Sequence, residues 1–151
     1  MIKGEKMVVK LVKKGDEIYN TGDLVQKLKK NDKIDTTGAI FTFEGFVRGF
    51  EDDSKIKDLS LSTPDIDKTQ KELEEIVNDV ETKYSVEEIS VVHYLGKFYT
   101  GDSLFLVAVL GGHREDTLRA LQEVIERVKF DLDFKKEEVS DSGTKVILAG
   151  G

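Results

Sequence analysis

The chain has 151 residues, 35% of them charged, with a formal net charge of -7 and no cysteine. That length suits one domain spanning residues 1–151, able to bury about two-thirds of its unfolded surface. Missing cysteine excludes disulfides, thiolate metal sites and a cysteine nucleophile. The acidic balance argues against non-specific nucleic-acid binding, which rests on clustered Lys and Arg. No apolar run of roughly 20 residues appears, nor a charged-then-apolar leader, so the expectation is a cytoplasmic protein without a membrane partner. The Lys- and Glu-rich, Trp-free composition resembles a thermophile's surface.

In chain order, Met7–Val12 reads as a strand by its β-branched content. Asp23–Lys30 is a short amphipathic helix with Leu24 and Leu28 four apart. Gly38 precedes an aromatic-rich strand, Ala39–Arg48, then a solvated turn at Glu51–Lys55 and a strand at Ile56–Ser62. Thr63 and Pro64 have the character of an N-cap and a first helical residue. The following helix carries Leu73, Ile76, Val77, Val80 and Tyr84 on one face. Two strands, Glu88–Leu95 and Ser103–Leu110, are joined as a hairpin through a turn between Gly96 and Gly101. A second long helix, about 114–129, directs Leu118, Leu121, Val124, Ile125 and Val128 inward. Strand-like segments Phe130–Phe134 and Thr144–Leu148 close the chain. Clustered strands with short connections and two main helices predict an α+β fold with a largely antiparallel sheet.

Four constellations could carry chemistry. In "VLGGHREDTLRA" (109–120) a strand meets a helix at Gly111-Gly112-His113-Arg114. A helix N-terminus favours anions, Arg114 offers a fork suited to phosphate, and His113 can change charge near neutral pH. Alternatively, His113 caps the turn and Arg114 pairs with Glu115 or Glu123. In "VKFDLDFKKEE" (128–138), alternation points Phe130, Leu132 and Phe134 inward and brings Lys136 to the same face. Lys129 sits on the flank of the helix's buried stripe. Two lysines at the core edge would each be lowered in pKa and become available as base or nucleophile. The rival is a solvated basic run paired with Glu137 and Glu138. Arg48 ends an apolar strand, either as an edge charge or as an anion ligand. The terminal Gly150-Gly151 matches ubiquitin-like carriers or is a plain chain end.

Together these pieces resemble the catalytic (large) subunit family of molybdopterin synthase, from about Gly38 to Glu138. "GAIFTFEGFVRG" resembles the family's Gly-Ala…Phe-x-Gly-x-Val-Arg strand, and "VVHYLGKFYTGD" its His-x-x-Gly hairpin. "VAVLGGHR" resembles the His-Arg corner, and "VKFDLDFKKEE" the segment with two lysines seven apart. Asp133 and Lys135 stand where the family usually has Pro and Trp, and Lys145 is the nearest counterpart of a C-terminal arginine.

The resemblance implies an α/β-hammerhead-like fold and an enzyme, a sulfurtransferase. It would convert cyclic pyranopterin monophosphate (precursor Z) into molybdopterin by installing a dithiolene. Sulfur would arrive as a thiocarboxylate on the C-terminal Gly-Gly tail of a small ubiquitin-like subunit. The protein would work as a homodimer within a heterotetramer, with no metal or cofactor of its own. By resemblance Lys129 takes the main catalytic role and Lys136 assists proton transfer or holds the thiocarboxylate. His113 and Arg114 bind the substrate's anionic part, Phe46, Val47 and Arg48 complete the pocket, and Glu138 orients Lys136. The rival readings are a non-catalytic pterin- or phosphate-binding relative and a carrier acting through Gly151.

Overall fold

In the computed structural model, which describes residues 7–148, the chain opens with β1 (Val9–Lys13) and α1 (Thr21–Leu28). Asn20 caps α1: its side chain accepts from the Asp23 N–H at 2.8 Å, and Asp23 accepts from the Asn20 N–H at 3.1 Å. This reciprocal pair satisfies two open donors and starts the helix two residues before Asp23. A 3-10 turn (Ile34–Thr36) leads to β2 (Ala39–Phe46), β3 (Phe50–Glu51) and β4 (Ser54–Ser62). The next helix, α2 (Ile66–Tyr84), is capped by Asp65 rather than Thr63. Thr63 is engaged elsewhere, donating to the Asp133 carbonyl at 2.7 Å. Then come β5 (Glu88–Phe98), β6 (Ser103–Gly111), α3 (Arg114–Asp131), β7 (Lys135–Ser140) and β8 (Gly143–Ile147).

The sheet runs β2-β6-β5-β4-β7-β8, all antiparallel, with β1 added parallel to β5 and β3 paired to β4. This is the α+β architecture expected. Strand β5 is its axis. On one edge it pairs with β6 from Glu88 to His93. On the other it pairs with β1 from Val91 to Leu95 and then with β4 from Gly96 to Phe98. Gly96 sits at the exchange of neighbours with φ +138°, a region that L side chains rarely occupy.

Alternation along β5 assigns the helices to faces. Glu88 meets α1, accepting from Lys27 at 2.8 Å and from Asn31, just beyond the helix, at 2.9 Å. Odd-numbered residues of β5 point the other way and share their face with Phe105, Val107, Val109 and Gly111 of β6. On that side a Cβ at Gly111 would fall 2.1 Å from Thr117 Oγ1. Gly111 is therefore needed for α3 to lie close against the sheet. Helix α2 packs on α3, tied by Lys83–Glu123 at 2.7 Å and Arg127–Asp79 at 3.4 Å. With helices on both faces, β5 and β6 are buried almost throughout. Among the described residues no helix is long and apolar enough to cross a membrane.

Two expectations are corrected. Phe130–Phe134 is not a strand: α3 continues to Asp131, its last turn closed by the Arg127–Asp131 pair at 3.4 Å. Phe130 consequently points outward, 55% exposed, while Leu132 and Phe134 are buried in the connection to β7. Leu118 is also exposed, because the stripe of α3 that meets the sheet runs through Thr117, Ala120, Val124 and Val128. Gly150-Gly151 lies outside the described residues.

Glu81 on α2 is partly buried, and desolvation pushes its carboxyl up to about 7, with Glu88 and Glu87 adding to the rise. The Ile89 N–H, donating to it at 2.9 Å, opposes the shift. The folded protein thus holds this proton more tightly than the unfolded chain. Stability should be full below the ordinary carboxylate value of 4.5 and fall as pH rises toward about 7. Denaturant melts of Glu81→Gln across that window should lose this component and show a protein more stable than wild type at pH 8.

Candidate active site

At the end of β5, on the face that carries α3, lies a cavity of about 510 Å3, within the usual range for a small-molecule site. Its walls come from four places. Strand β2 and the segment after it supply Phe46, Val47 and Arg48. The last turn of α3 supplies Lys129, and β7 supplies Lys136 and Glu138. Strand β8 adds Lys145, Ile147 and, just beyond it, Leu148. Leu59 and Leu61 of β4, with Phe105 and Phe134, form an apolar floor.

Local structure explains each placement. The β2–β6 register shifts between Gly45 and Phe46, a bulge that re-aims the strand end. Val47 is then pinned to the β5–β6 turn, donating to the Asp102 carbonyl at 3.0 Å and accepting from the Gly101 N–H at 2.7 Å. Arg48 next to it reaches Glu51 at 3.3 Å, yet its side chain remains 73% exposed and can turn toward a ligand. Strand β7 begins at Lys135, and β4 fixes its faces: Lys136 lies opposite Leu61, and Glu138 opposite Leu59. Both of those leucines are buried. Lys135 and Glu137 face away and pair with each other at 3.1 Å. Lys136 is therefore inward, as the alternation predicts, although the strand starts later than expected.

Burial holds the Lys136 amine below the ordinary lysine value, and the Lys129 ammonium lowers it further. Glu138 pulls it back up, Arg48 adds a smaller depression and Glu51 a smaller rise. Lys129 is exposed at the residue level and forms part of the rim. The desolvated amine of the pair is Lys136.

Six of the eight residues singled out in the sequence thus meet at one cavity: Phe46, Val47, Arg48, Lys129, Lys136 and Glu138. His113 and Arg114 do not. They are exposed at the start of α3, and Lys129 follows Arg114 by 15 positions of one helix, about 22 Å along its axis. His113 is the N-cap but makes no side-chain cap bond; the Thr117 hydroxyl donates to its carbonyl at 2.5 Å. Arg114 does not take Glu123 as a partner, since Lys83 and Arg127 hold that carboxylate.

Sequence reading did not assign a site role to His93, Glu51 or Lys145, all of which line the cavity. His93 continues the inward period of Ile89 and Val91, and a histidine on such a face was the available signal. It is buried between strands, stacked on Phe134 with ring centroids 4.5 Å apart and tilted against Phe105 at 4.9 Å. Desolvation lowers its pKa to about 4; the Tyr94 carbonyl opposes this and the Lys136 charge reinforces it. Among the described residues no group of three or more His, Asp or Glu side chains is arranged to hold a metal ion.

Fold and cavity together define an α+β protein with a lysine-bearing cavity whose lining carries more cations than carboxylates. The family model described as MoaE protein matches residues 16–131, and the chain belongs to that family. It is 29% identical to the molybdopterin synthase catalytic subunit of Yersinia pestis over 89% of this chain and 86% of the relative. The Haemophilus influenzae molybdopterin synthase catalytic subunit is 32% identical, over 74% of each chain. The crystal structure of molybdopterin synthase from Staphylococcus aureus superposes with a TM-score of 0.77 at 27% identity, covering 91% of this chain and 94% of that one. A complex of subunits 1 and 2 of the molybdopterin-converting factor from Helicobacter pylori shares the fold, with a TM-score of 0.65 at 22% identity, covering 95% and 88%.

The coupling of the two lysines can be tested by titrating Lys136 directly, for example by NMR of its side-chain nitrogen. Replacing Lys129 with Met removes a like charge, so the Lys136 pKa should rise while staying below that of a free lysine. Glu138→Gln removes the opposing acid and should lower it further.

Proposed function

We propose that this chain is the catalytic subunit of a cytoplasmic molybdopterin synthase, converting cyclic pyranopterin monophosphate into molybdopterin. The observation that carries this reading is the meeting of Lys129, Lys136 and Arg48 in one cavity of a MoaE-family chain. Sulfur is delivered as a thiocarboxylate on the Gly-Gly tail of a small ubiquitin-like subunit. The relative from Helicobacter pylori, seen as a complex of two subunits, supports such a partner.

Charge and geometry then distribute the work. Arg48 and Lys145 attract the anionic groups of substrate and tail. Lys129, on the rim, meets the reacting centre and activates the substrate or forms a transient adduct. Lys136, whose amine burial and the Lys129 charge make a weaker base than a free lysine, moves protons, and Glu138, two residues along on the same face, partly opposes that shift.

The corner at His113 and Arg114 acquires a role only in a homodimer. If it binds the substrate's anionic part, as the resemblance implies, it acts on the pocket of a second copy, because Lys129 of its own pocket stands about 22 Å further along the axis of α3. Two such contacts, related by a twofold axis, would make each site a composite of two chains.

Incubation with cyclic pyranopterin monophosphate and a thiocarboxylated small subunit should yield the dithiolene product. Lys129→Ala and Lys136→Arg should each lose roughly 100-fold or more of the rate, the second because a guanidinium does not hand on its proton. Binding of the pyranopterin without any product from the wild type would instead favour a non-catalytic pterin-binding protein. Complementation tests the composite site. Mixed and re-associated, inactive Lys136→Ala and inactive Arg114→Ala chains should regain about a quarter of wild-type activity, since half the dimers are mixed and each has one intact site. Mixed dimers seen by native mass spectrometry but without activity would confine the corner to another role.

A further inference from the structure

We propose that His93 reads the substrate's ring system: its Nε2 accepts a hydrogen bond from an N–H or O–H of the bound pterin. This rests on the molybdopterin-synthase reading and deepens it.

Three observations carry it. First, the ring is fixed. It stacks on Phe134 at 4.5 Å and 29° and lies against Phe105 at 4.9 Å and 31°. Second, one nitrogen is already committed. His93 Nδ1 is 3.2 Å from the Tyr94 carbonyl, which can only accept, so Nδ1 carries the proton and Nε2 of the neutral ring keeps a lone pair. Burial and the neighbouring Lys136 charge keep the ring neutral. Third, among the described residues lining the cavity, His93 is the only uncharged side chain with a hydrogen-bonding nitrogen or oxygen. Arg48, Lys129, Lys136 and Lys145 can serve as cationic donors, and Glu51 and Glu138 as carboxylate acceptors.

Those charged groups suit a phosphate, a thiocarboxylate or an ammonium. The carboxylates can also accept from a heterocycle's N–H edge, but Glu51 is engaged by Arg48 at 3.3 Å and Glu138 faces the Lys136 charge, whereas His93 is fixed against Phe105 and Phe134. A site built to pair a substrate N–H or O–H discriminates against analogues lacking it far better than an apolar wall does. His93 therefore supplies recognition of the ring, while the cations supply recognition of the charge.

The test is direct binding to the full chain, followed by pterin fluorescence, using cyclic pyranopterin monophosphate and a phosphate-free pterin as probes. His93→Phe keeps the ring contacts and removes the acceptor. It should weaken both probes by roughly 5- to 10-fold and raise KM by the same factor, with kcat changed less than about twofold. His93→Gln, which can return an oxygen near the Nε2 position, should recover most of the loss. In the wild type, 15N NMR should show Nε2 unprotonated and shifted when either probe binds. The proposal is overturned if folded His93→Phe binds both probes as wild type does, or if only the phosphate-bearing probe weakens. It is equally overturned if Nε2 carries the proton or its signal ignores the ligand. If His93→Phe does not fold, the glutamine variant and the wild-type NMR decide. A wild type that turns over substrate while these readouts fail removes only this inference; one that binds no pyranopterin removes the functional reading as well.

Discussion

Everything in this molecule is positioned by the continuity of β5. Its first half is enclosed between α1 on one face and the α2–α3 layer on the other, and its last three residues pass into pairing with β4. Breaking the strand would separate the helical layer from the β4–β7–β8 ladder, and the cavity lies where those two parts meet. Gly96 permits the passage because its φ of +138° is available without strain only to a residue lacking Cβ. His93, three residues earlier, is the last inward side chain before Leu95 and the exchange of neighbours. The strand that organises the core thus also lends the cavity one side chain, His93.

Electrostatics at the cavity runs against that of the whole chain. The protein is acidic overall, at -7, whereas the cavity gathers Arg48, Lys129, Lys136 and Lys145 against Glu51 and Glu138. Low-dielectric walls strengthen such local fields, so an anion is drawn to this opening despite the unfavourable total charge. The acidic surface elsewhere repels the same ligand.

Much of the fold was readable from periodicity. The stripe Leu73, Ile76, Val77 and Val80 defined α2, and the apolar run through Leu106–Leu110 defined β6, which the structure then buries on both faces. Arg48, Lys129 and Lys136 could be singled out because each stands near a strand or helix end beside a recognisable pattern, whereas Glu138 was named only through the family resemblance. The 130–134 segment was misread because Phe130, Leu132 and Phe134 alternate as a strand would. The i,i+4 pair Arg127–Asp131 and the exposure of Phe130 show the helix running two residues further, to Asp131. The location of His113 and Arg114 was not readable at all. Motif order along the chain carries no information about which end of the sheet a residue reaches, and α3 takes the chain from one end to the other. His93 was hidden for a different reason: its meaning depends on Phe105, Phe134 and Lys136, which only the folded sheet brings together.

The order of residues in β7 has a consequence for error tolerance. Strand faces alternate, so a shift of one residue in the β4–β7 pairing would turn Lys136 and Glu138 outward. The sequence there is Lys135-Lys136-Glu137-Glu138. After such a slip Lys135 and Glu137 would face the cavity, and the inward sequence would still read lysine, then acid. A small insertion or deletion before this strand would displace the amine along the wall without erasing it. Doubled letters at this point keep the chemical character of the wall through a one-residue change in the length of the preceding connection.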